Sequence, residues 1–391
     1  MNADTRTMTI PYISGDGIGP EIMHATRPVI DAAVSKATGG SVGCRWVELA
    51  AGAEAFERTG QWLPVETLDA IRSHGVALKG PLTTPVGRGI RSLNVTLRQA
   101  LDLYASVRPV RYFDGVPSPV KDPEGMDIVI FRENTEDVYR GIEWRSGSPE
   151  AREVLDFMRE KLNIEVPLDS GIGLKPMSER ASKRLIRAAM EFALRSKRKS
   201  VTMVHKGNIM KFTEGAFRDW GYELAAREYR DRVVFESELD GGGDVSGRLV
   251  LKDRIADNMF QQILTRPREY SVLAAPNLNG DYLADACAAQ VGGLGLAPGA
   301  NIGDRVAVFE PVHGSAPKYA GKDVANPAAL MLSGAMMLEH MGLGCAGVMI
   351  SKAIGEAYSE KAMTADLARL CEGSRCVGTK EFGRAVLSKL G

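Results

Sequence analysis

The stretch that decides the fold runs from Met8 to Gly80, where five segments of alternating character follow one another: MTIPYI (8–13), PEIMHATRPVIDAAVSKA (20–37), GCRWVELA (43–50), LPVETLDAIRSH (63–74) and GVALKG (75–80). The first, third and fifth have the character of strands, whereas the second and fourth carry apolar residues at helical spacing. Strands that alternate with helices in this way are typical of an α/β fold around a mostly parallel sheet.

The pattern of alternating strand-like and helix-like segments changes near Leu103, and long helical segments return in the last hundred residues. DIVIFREN (127–134) and VTMVHKG (201–207) again look like strands, but the polar stretch 143–178 between them has weak periodicity and predicts an inserted or protruding element. NPAALMLSGAMMLEHM (326–341) and MTADLARLCEG (363–373) predict long helices. The simplest architecture has both chain ends in one domain, around a central second domain.

Composition excludes several classes of function. The chain has 391 residues, 44% of them hydrophobic, which suits a large core and two or three domains. Lys and Arg together number 49, as do Asp and Glu, so no net charge favours nucleic acid or an anionic membrane. Scattered cysteines favour a cytoplasmic location. We expect no signal peptide, and the longest apolar stretch is well short of the ~20 residues of a membrane span.

GDGIGPE (15–21) follows a strand and precedes a helix, which is where a dinucleotide fingerprint would lie. Its glycines have the spacing G-x-G-x-G rather than G-x-G-x-x-G, and no acidic residue follows about twenty positions later. We therefore predict a tight glycine turn with Pro20 in the first turn of the helix, and not a Rossmann fold.

The strongest local signal for a metal is NLNGDYLADACAAQ (277–290). On a helix, Asp281 and Asp285 would share one face and could hold one cation, and carboxylate oxygens suit Mg²⁺ or Mn²⁺. Such a pair is also common on a solvated helix face. The apolar, glycine-rich flanks argue that these two acids are not on the exterior.

A second group of polar side chains occupies residues 91–113, where Ser92 would cap a helix that carries Asn94 and Arg98 on one face. Further guanidiniums follow at Arg108, Arg111 and Arg132. Arginines that converge on one pocket are what a polycarboxylate substrate requires, since each can hold a carboxylate through two hydrogen bonds. Any one of them could equally be a surface charge.

Seven ordered blocks cover nearly the whole chain: GDGIGPE, KGPLTTPVG (79–87), SLNVTLRQALDLYASVRPVRYF (92–113), VIFRENTEDVYRGIEW (129–144), VHKGNIMKFTEG (204–215), NLNGDYLADACAAQVGG (277–293) and EPVHGSAPKYAGKDVANP (310–327). Taken together, they make the chain resemble the isocitrate and isopropylmalate dehydrogenases, which are β-decarboxylating dehydrogenases.

The resemblance implies two α/β domains that share one continuous, mostly parallel sheet. A large cofactor-binding domain would comprise 1–103 and 292–391, a small substrate and dimer domain 104–136 and 179–291, and a clasp-like insertion 137–178. It further implies a homodimer with shared active sites, because Lys206 and Asp257 would reach the active site of the other subunit.

The resemblance also assigns the site residues. Tyr139 and Lys206 would transfer protons, and isocitrate would be bound by Ser92, Asn94, Arg98, Arg108 and Arg132. The pair Ser92 and Asn94 resembles the isocitrate branch, since the isopropylmalate branch has apolar residues there. Asp257, Asp281 and Asp285 would bind Mg²⁺ or Mn²⁺.

For the cofactor, the resemblance implies a nicotinamide site near Thr83 and Thr84 and an adenosine site along 313–325. Lys318, Tyr319 and Arg369 resemble the residues that hold the 2′-phosphate of NADP, although Ala365 and Ala325 replace larger residues, so NAD stays possible. The full predicted set is Thr83, Asn208, His313, Gly314, Lys318, Tyr319, Asn326 and Arg369.

The activity that the resemblance implies is the oxidative decarboxylation of isocitrate to 2-oxoglutarate and CO₂ with reduction of NADP, a step of the tricarboxylic acid cycle. A related 2-hydroxy acid such as homoisocitrate, isopropylmalate or tartrate is the alternative substrate. A non-catalytic regulatory subunit is a third possibility, but the three aspartates, Tyr139 and Lys206 are all present.

Overall fold

The computed structural model describes residues 6–83, 92–239, 245 and 247–390. Its strands are β1 (Arg6–Ile13), β2 (Val42–Glu48), β3 (Val76–Lys79), β4 (Ala105–Arg111), β5 (Asp127–Glu133), β6 (Glu143–Trp144), β7 (Ile172–Gly173), β8 (Ser200–His205), β9 (Val233–Phe235), β10 (Leu249–Ile255), β11 (Val272–Ala275), β12 (Pro298–Ile302), β13 (Ala307–Pro311), β14 (Ala362–Met363) and β15 (Arg375–Cys376).

Its helices are α1 (Gly19–Ala37), α2 (Ala53–Thr59), α3 (Val65–His74), α4 (Leu93–Ala100), α5 (Pro149–Leu162), α6 (Glu179–Arg195), α7 (Glu214–Glu228), α8 (Ala256–Thr265), α9 (Asn277–Gln290), α10 (Ala328–His340), α11 (Gly344–Ser359), α12 (Ala365–Ala368) and α13 (Thr379–Lys389). The five segments predicted between Met8 and Gly80 overlap β1, α1, β2, α3 and β3, in that order, and the short helix α2 between the third and fourth segments was not predicted.

One sheet of eleven strands, in the order β2-β1-β3-β13-β12-β4-β5-β11-β8-β10-β9, runs through the molecule. Its two outer parts are parallel, and three antiparallel pairs join them in the middle, where β12 pairs with β13 and β4, and β4 pairs with β5. The predicted mostly parallel α/β sheet is therefore confirmed. Strands from both chain ends form one half of the sheet, towards its β2 edge, and strands from the centre of the chain form the other half, towards its β9 edge.

The antiparallel middle of the sheet has one polar and one apolar face, because side chains alternate along a strand. Ser106 and Arg108 on β4 point to the same cleft as Asn301 on β12 and Glu310 on β13. Their neighbours Val107 and Phe309 belong to the hydrophobic clusters on the other side. The alternation thus collects polar side chains from separate strands at one place.

Helix α10 lies in the largest part of the hydrophobic core formed by elements from both chain ends, and ten of its thirteen residues are buried. Gly334 allows α10 to approach α1 closely, since a Cβ there would lie 2.5 Å from Cδ1 of Ile30. The longer helix predicted over 363–373 is wrong: α12 ends at Ala368, and the chain then turns back through Gly373, whose φ is +71°. Consecutive turn bonds, from Leu370 to Leu367 and from Cys371 to Ala368, replace the helix.

The stretch 143–178 contains the small antiparallel pair β6–β7 and the helix α5, which Ser148 caps through a hydrogen bond of 3.2 Å from Ala151 N. Short strands and one amphipathic helix explain why its periodicity is weak. In the part of the chain that the structure describes, no helix is long and apolar enough to cross a membrane.

Candidate active site

Helix α9 places the two aspartates of the predicted metal site on one face. Both approach the same guanidinium, since Arg108 Nη1 lies 3.2 Å from Oδ1 of Asp281 and 3.7 Å from Oδ1 of Asp285. The Asp281 side chain is 31% exposed and the Asp285 side chain 53% exposed. The expectation that both acids avoid the exterior is therefore wrong for Asp285, which lies one turn farther along the helix.

Asp281 is the point at which several predicted side chains meet. Its Oδ2 accepts a hydrogen bond of 2.6 Å from the hydroxyl of Tyr139, and its Oδ1 accepts hydrogen bonds from both Arg108 and Arg132. Arg132 also donates from Nε to Oδ1 of Asn277, at 2.8 Å, and its guanidinium lies 4.7 Å from the centre of the Tyr139 ring. One carboxylate thus connects two predicted substrate residues to a predicted proton donor.

Burial and charge shift the pKa values in this group. Burial works to raise the pKa of Asp281, but the guanidiniums of Arg132 and Arg108 outweigh it, and the pKa lies below its ordinary value. The pKa of Tyr139 is raised to about 12, by burial and by the hydrogen bond to Asp281, so the hydroxyl keeps its proton at neutral pH. Burial, with the charge of Arg108 nearby, lowers the pKa of Arg132 to about 9. An anion bound next to Arg132 would favour the charged guanidinium and would oppose this lowering of its pKa.

A second cluster of buried charges surrounds Glu310. Lys79 Nζ lies 2.5 Å and Arg98 Nη2 lies 2.8 Å from its carboxylate oxygens, and Asn301 donates to it at 2.7 Å. Lys79 also donates to Oδ1 of Asn94, at 3.1 Å. Burial works to raise the pKa of Glu310, but the two cations outweigh it and hold that pKa far below its ordinary value. The carboxylate therefore keeps Arg98 fixed at the edge of the cleft.

One cleft is lined by Arg108 of the first group and by Arg98, Asn301 and Glu310 of the second. Its lining includes residues predicted for the substrate and residues predicted for the cofactor: Asn94, Arg98, Arg108, His313 and Gly314. Ser92 lies at the predicted N-cap position of α4, but its side chain makes no capping hydrogen bond to the helix. Its carbonyl oxygen accepts from the amide of Thr96 at 2.9 Å. Predicted substrate and cofactor residues thus adjoin in one cleft.

Lys206 and Asp257 form a separate ion pair. Lys206 follows β8 directly, Asp257 lies in the first turn of α8, and Nζ of the lysine donates to Oδ2 of the aspartate. Among the described residues, no three acidic, histidine or cysteine side chains come together as metal ligands. Asp257 therefore does not join the two α9 aspartates within one chain, and its role in a partner's site stays a prediction.

The GDGIGPE turn holds the loops of the predicted nicotinamide end. Gly17 has a φ of +59°, and a Cβ there would lie 2.0 Å from the carbonyl oxygen of Ser315. Oδ2 of Asp16 accepts from the amide of Thr83 at 2.6 Å, and the Thr83 hydroxyl lies 2.6 Å from Oγ of Ser315. The predicted tight turn is confirmed, and it is a structural support for the cleft. Thr84 lies outside the described residues.

His313 borders the cleft next to this turn. Its Nδ1 lies 3.0 Å from the carbonyl oxygen of Gly314, whereas its buried Nε2 has no hydrogen-bond partner among the described residues. Burial lowers the pKa of His313, so the ring is neutral at pH 7. An unsatisfied buried nitrogen at this place fits a polar ligand in the cleft.

The predicted phosphate end is more open. Nζ of Lys318 lies 4.8 Å from the centre of the Tyr319 ring, which is 44% exposed, and Nε of Arg369 donates to the carbonyl oxygen of Asp366 at 3.2 Å. The amide nitrogen of Asn326 instead points inward to the Tyr358 hydroxyl, at 3.1 Å. Asn208 is exposed in the turn after Lys206.

The chain matches the family model described as isocitrate/isopropylmalate dehydrogenase over residues 9–386. The chain belongs to the isocitrate/isopropylmalate dehydrogenase family.

Members of this family with long matches include a protein named isocitrate dehydrogenase [NADP] from Archaeoglobus fulgidus, 56% identical over 97% of this chain and 92% of that protein. A protein of the same name from Pseudomonas aeruginosa is 53% identical over 97% of this chain and 93% of its own length. The crystal structure of isocitrate dehydrogenase from Methylococcus capsulatus superposes with a TM-score of 0.81, at 40% identity, over 98% of this chain and 99% of that one.

In this member of the isocitrate/isopropylmalate dehydrogenase family, sequence reasoning missed three buried charged residues that organise the cleft: Asp16, Lys79 and Glu310. The available signal was the charge inside otherwise apolar strands, since Lys79 ends VALK and Glu310 lies within AVFEP. A buried charge requires a partner, so each of these positions predicted a polar contact across the sheet.

Proposed function

We propose that this chain catalyses the oxidative decarboxylation of isocitrate to 2-oxoglutarate and CO₂ with reduction of NADP. The observation that carries the proposal is the convergence of Arg108, Arg132, Tyr139 and Asp281 through direct hydrogen bonds, beside a cleft that Arg98 also lines. Proteins named isocitrate dehydrogenase [NADP] that are more than half identical over nearly the whole chain support the same substrate and cofactor.

Substrate recognition follows from the charges. Three guanidiniums suit the three carboxylates of isocitrate, and Ser92 with Asn94 adds hydrogen-bonding groups where an aliphatic side chain would need apolar contacts. Arg108 and Arg132 are almost fully buried, and Arg132 bears a lowered pKa. A substrate carboxylate would interact more favourably with these guanidiniums than water does, because charges attract more strongly in a buried site.

Proton transfer belongs to Tyr139 and Lys206 in this proposal. Tyr139 keeps its hydroxyl proton, as its raised pKa requires, and is oriented by Asp281, so it is suited to protonate the enol that remains after CO₂ leaves. Lys206, positioned by Asp257, would in its neutral amine form accept the proton of the substrate hydroxyl and would then return that proton to the enolate oxygen.

The α9 aspartates fit a divalent cation. Asp281 and Asp285 offer hard oxygen donors on one helix face, and both side chains are partly exposed. Arg108, which borders the cleft, lies 3.2 Å and 3.7 Å from the two carboxylates, so a positive charge is accommodated next to them. We propose that they bind Mg²⁺ or Mn²⁺ with Asp257 of a second chain. When bound, the cation supplies the positive charge that acidifies the substrate hydroxyl and stabilises the enolate.

NADP would lie between Thr83 and Arg369, with its nicotinamide near Thr83, His313 and Gly314. Lys318, Tyr319 and Arg369 would contact the 2′-phosphate, and their exposure supports a role in ligand binding. Asn208 and Asn326 complete the proposed set; because the Asn326 side chain is engaged inside the protein, its contact would come through the backbone. NADP, when bound, accepts the hydride from C2 of the substrate.

We also propose a cytoplasmic homodimer with shared sites and the domain division 1–103 with 292–391, 104–136 with 179–291, and the clasp 137–178. Two large apolar side chains next to Lys206 support a second copy at this surface, since Ile209 is 68% and Phe212 is 91% exposed. The sheet order supports the division, because it separates the chain ends from the centre.

The test is a set of steady-state rates with isocitrate, homoisocitrate, isopropylmalate and tartrate, each with NADP and with NAD. Each combination is measured with Mg²⁺, with Mn²⁺ and with EDTA. We expect the highest kcat/KM for isocitrate with NADP, and loss of turnover in EDTA. A preference for NAD or for homoisocitrate would identify a sibling activity, and no isocitrate turnover with either cofactor would overturn the proposal.

Shared sites are tested by complementation. Tyr139→Phe and Lys206→Met homodimers are purified separately, mixed under conditions that allow subunit exchange, and assayed. If each site combines Tyr139 of one chain with Lys206 of the other, a random mixture should recover about a quarter of wild-type activity, because half of the dimers are mixed and each mixed dimer has one complete site. No recovery after demonstrated exchange would contradict shared sites.

A further inference from the structure

Lys175 lies between two buried carboxylates that the proposed reaction does not use. Its Nζ is 2.5 Å from Oδ1 of Asp137 and 2.9 Å from Oε1 of Glu214. The lysine side chain is 18% exposed, whereas each acid is 1% exposed. Burial works to lower the pKa of Lys175, but the two acids outweigh it and the pKa lies above its ordinary value, so the lysine is charged.

Asp137 holds the turn that carries Tyr139. Its backbone has a φ of +68°, a conformation that is uncommon for a residue with a Cβ. Oδ1 accepts from the amide of Val138 at 2.7 Å, and Oδ2 accepts from the amide of Leu278 at 2.9 Å, in the first turn of α9. Asp137 therefore sets the position of the Tyr139 turn relative to the helix that carries Asp281.

Glu214 holds the turn that carries Lys206. Its Oε2 accepts from the amide of Lys206 and, at 2.8 Å, from Nδ2 of Asn279, again in the first turn of α9. The carbonyl oxygen of Lys206 in turn accepts from the amide of Met210 at 3.0 Å. Both turns are therefore held to the first turn of α9, one through Asp137 and the other through Glu214. Lys175 contacts both of these acids.

We propose that Lys175 is a positioning residue that holds the Tyr139 turn and the Lys206 turn in register with α9, and so sets both proton-transfer groups at once. This inference rests on the proposed function. Without the ammonium group, Asp137 and Glu214 become two buried carboxylates without a cation between them, and their repulsion moves one or both turns. A displacement of about 1 Å at a reacting group can cost on the order of a hundredfold in rate.

The Lys175→Met chain is expected to fold, because other contacts hold the same segment. The amide of Asp137 donates to the carbonyl oxygen of Pro176 at 2.9 Å, and Ser178 donates to Glu136 from both its amide and its hydroxyl, each at 2.6 Å. Lys183 is a matched control, since it also contacts two acids, Glu179 at 2.6 Å and Glu223 at 3.0 Å, on the outer face of α6.

The experiment compares Lys175→Met, Lys175→Arg and Lys183→Met in the full-length protein. Two reactions are followed: NADP reduction with isocitrate, and decarboxylation of the β-keto acid supplied directly. We expect Lys175→Met to lower kcat by roughly 10- to 100-fold in both reactions, with KM for isocitrate changed less than about threefold. Lys175→Arg should restore part of the loss, and Lys183→Met should behave as wild type.

Variants of the single acids test the Tyr139 turn and the Lys206 turn separately. Asp137→Asn should impair the decarboxylation more, as Tyr139 acts there, and Glu214→Gln should impair NADP reduction more, as Lys206 acts there. Normal kcat in Lys175→Met, with a lowered Tm, would show that the lysine only stabilises the fold and would overturn the inference. If Lys175→Met lowers kcat and Lys175→Arg lowers it equally, the result would also count against the inference. An inactive wild type would instead contradict the proposed function.

Discussion

The two ends of the cleft differ in how their charged side chains are held. At the proposed substrate end, Arg98 is paired with Glu310, and Arg108 and Arg132 are paired with Asp281, all at buried or half-buried positions. At the proposed phosphate end, Lys318 and Tyr319 contact each other on the surface. The substrate end is arranged before any ligand binds, whereas the phosphate end would acquire its charge partner from the cofactor.

This difference determines what a substitution should do. Removing one member of a buried pair leaves the other charge unpaired in a low-dielectric site, so it costs both binding and local geometry. Removing an exposed cation leaves the fold intact and costs only the contact that the ligand would have made. Substitutions in the buried pairs should therefore lower both kcat/KM and the stability of the fold. Substitutions of the exposed cations should weaken only the binding of the cofactor.

The largest effect is expected for Asp281→Asn. The change keeps the size of the side chain but removes the charge that pairs with Arg108 and Arg132 and that would bind the cation. Each hydrogen bond to a charged group contributes about 1.5–3 kcal/mol, so loss of two such contacts and of a cation ligand should lower kcat/KM for isocitrate on the order of a thousandfold at saturating Mg²⁺. Asp285→Asn, at the more exposed position, should lose less. Equal losses in the two variants would contradict the distinction between them.

Tyr139→Phe should have the next largest effect. The hydroxyl that donates to Asp281 is lost while the ring can keep its place over Arg132. Because we assign the hydroxyl to the enol, hydride transfer should survive better than release of 2-oxoglutarate, and steady-state turnover should fall by roughly 10²-fold. The measurement is NADPH formation against 2-oxoglutarate formation in a single turnover. Unchanged turnover would remove Tyr139 from the mechanism.

At the open end, Lys318→Asp should lower kcat/KM for NADP by roughly 10- to 100-fold, because a charged hydrogen bond contributes about 1.5–3 kcal/mol. Activity with NAD should hold or rise, since no phosphate meets the new carboxylate. Lys161→Asp, an exposed lysine on α5, is the control for charge reversal. Both variants should keep the wild-type Tm. Equal losses with NADP and NAD would mean that Lys318 does not contact the 2′-phosphate.

The fold was accessible from the sequence because its signals are local. Each of the five segments predicted between Met8 and Gly80 carries its own periodicity, whereas the short helix α2 was not predicted. The G-x-G-x-G spacing and the absence of a following acidic residue argued against a dinucleotide fingerprint. The predicted helix over 363–373 failed for the same reason: its apolar spacing is helical, but the turn through Gly373 depends on how the chain packs.

The site was accessible in part. Asp281 and Asp285 have helical spacing, and α9 does carry them, but periodicity does not show that one guanidinium reaches both. Lys175, Glu214 and Asp137 gave no signal, because their contacts join segments far apart in the chain. Burial of a charge is a tertiary property, and sequence reasoning does not supply it without a family.

The smallest effect is expected at His313, which lies where the two ends meet. Burial lowers its pKa, so the folded state prefers the neutral ring and the unfolded chain binds the extra proton, at an ordinary pKa of about 6.5. Stability from this group is therefore complete above pH 6.5 and is lost as the pH falls through the lower folded value. His313→Gln has no such titration, so the Tm of the wild type relative to the variant should be constant from pH 7 to 8 and should fall towards pH 5. Thermal melts of both proteins across this range make the comparison, and the difference between them cancels other titrating groups. A constant difference down to pH 5 would place His313 with the open, solvated end of the cleft.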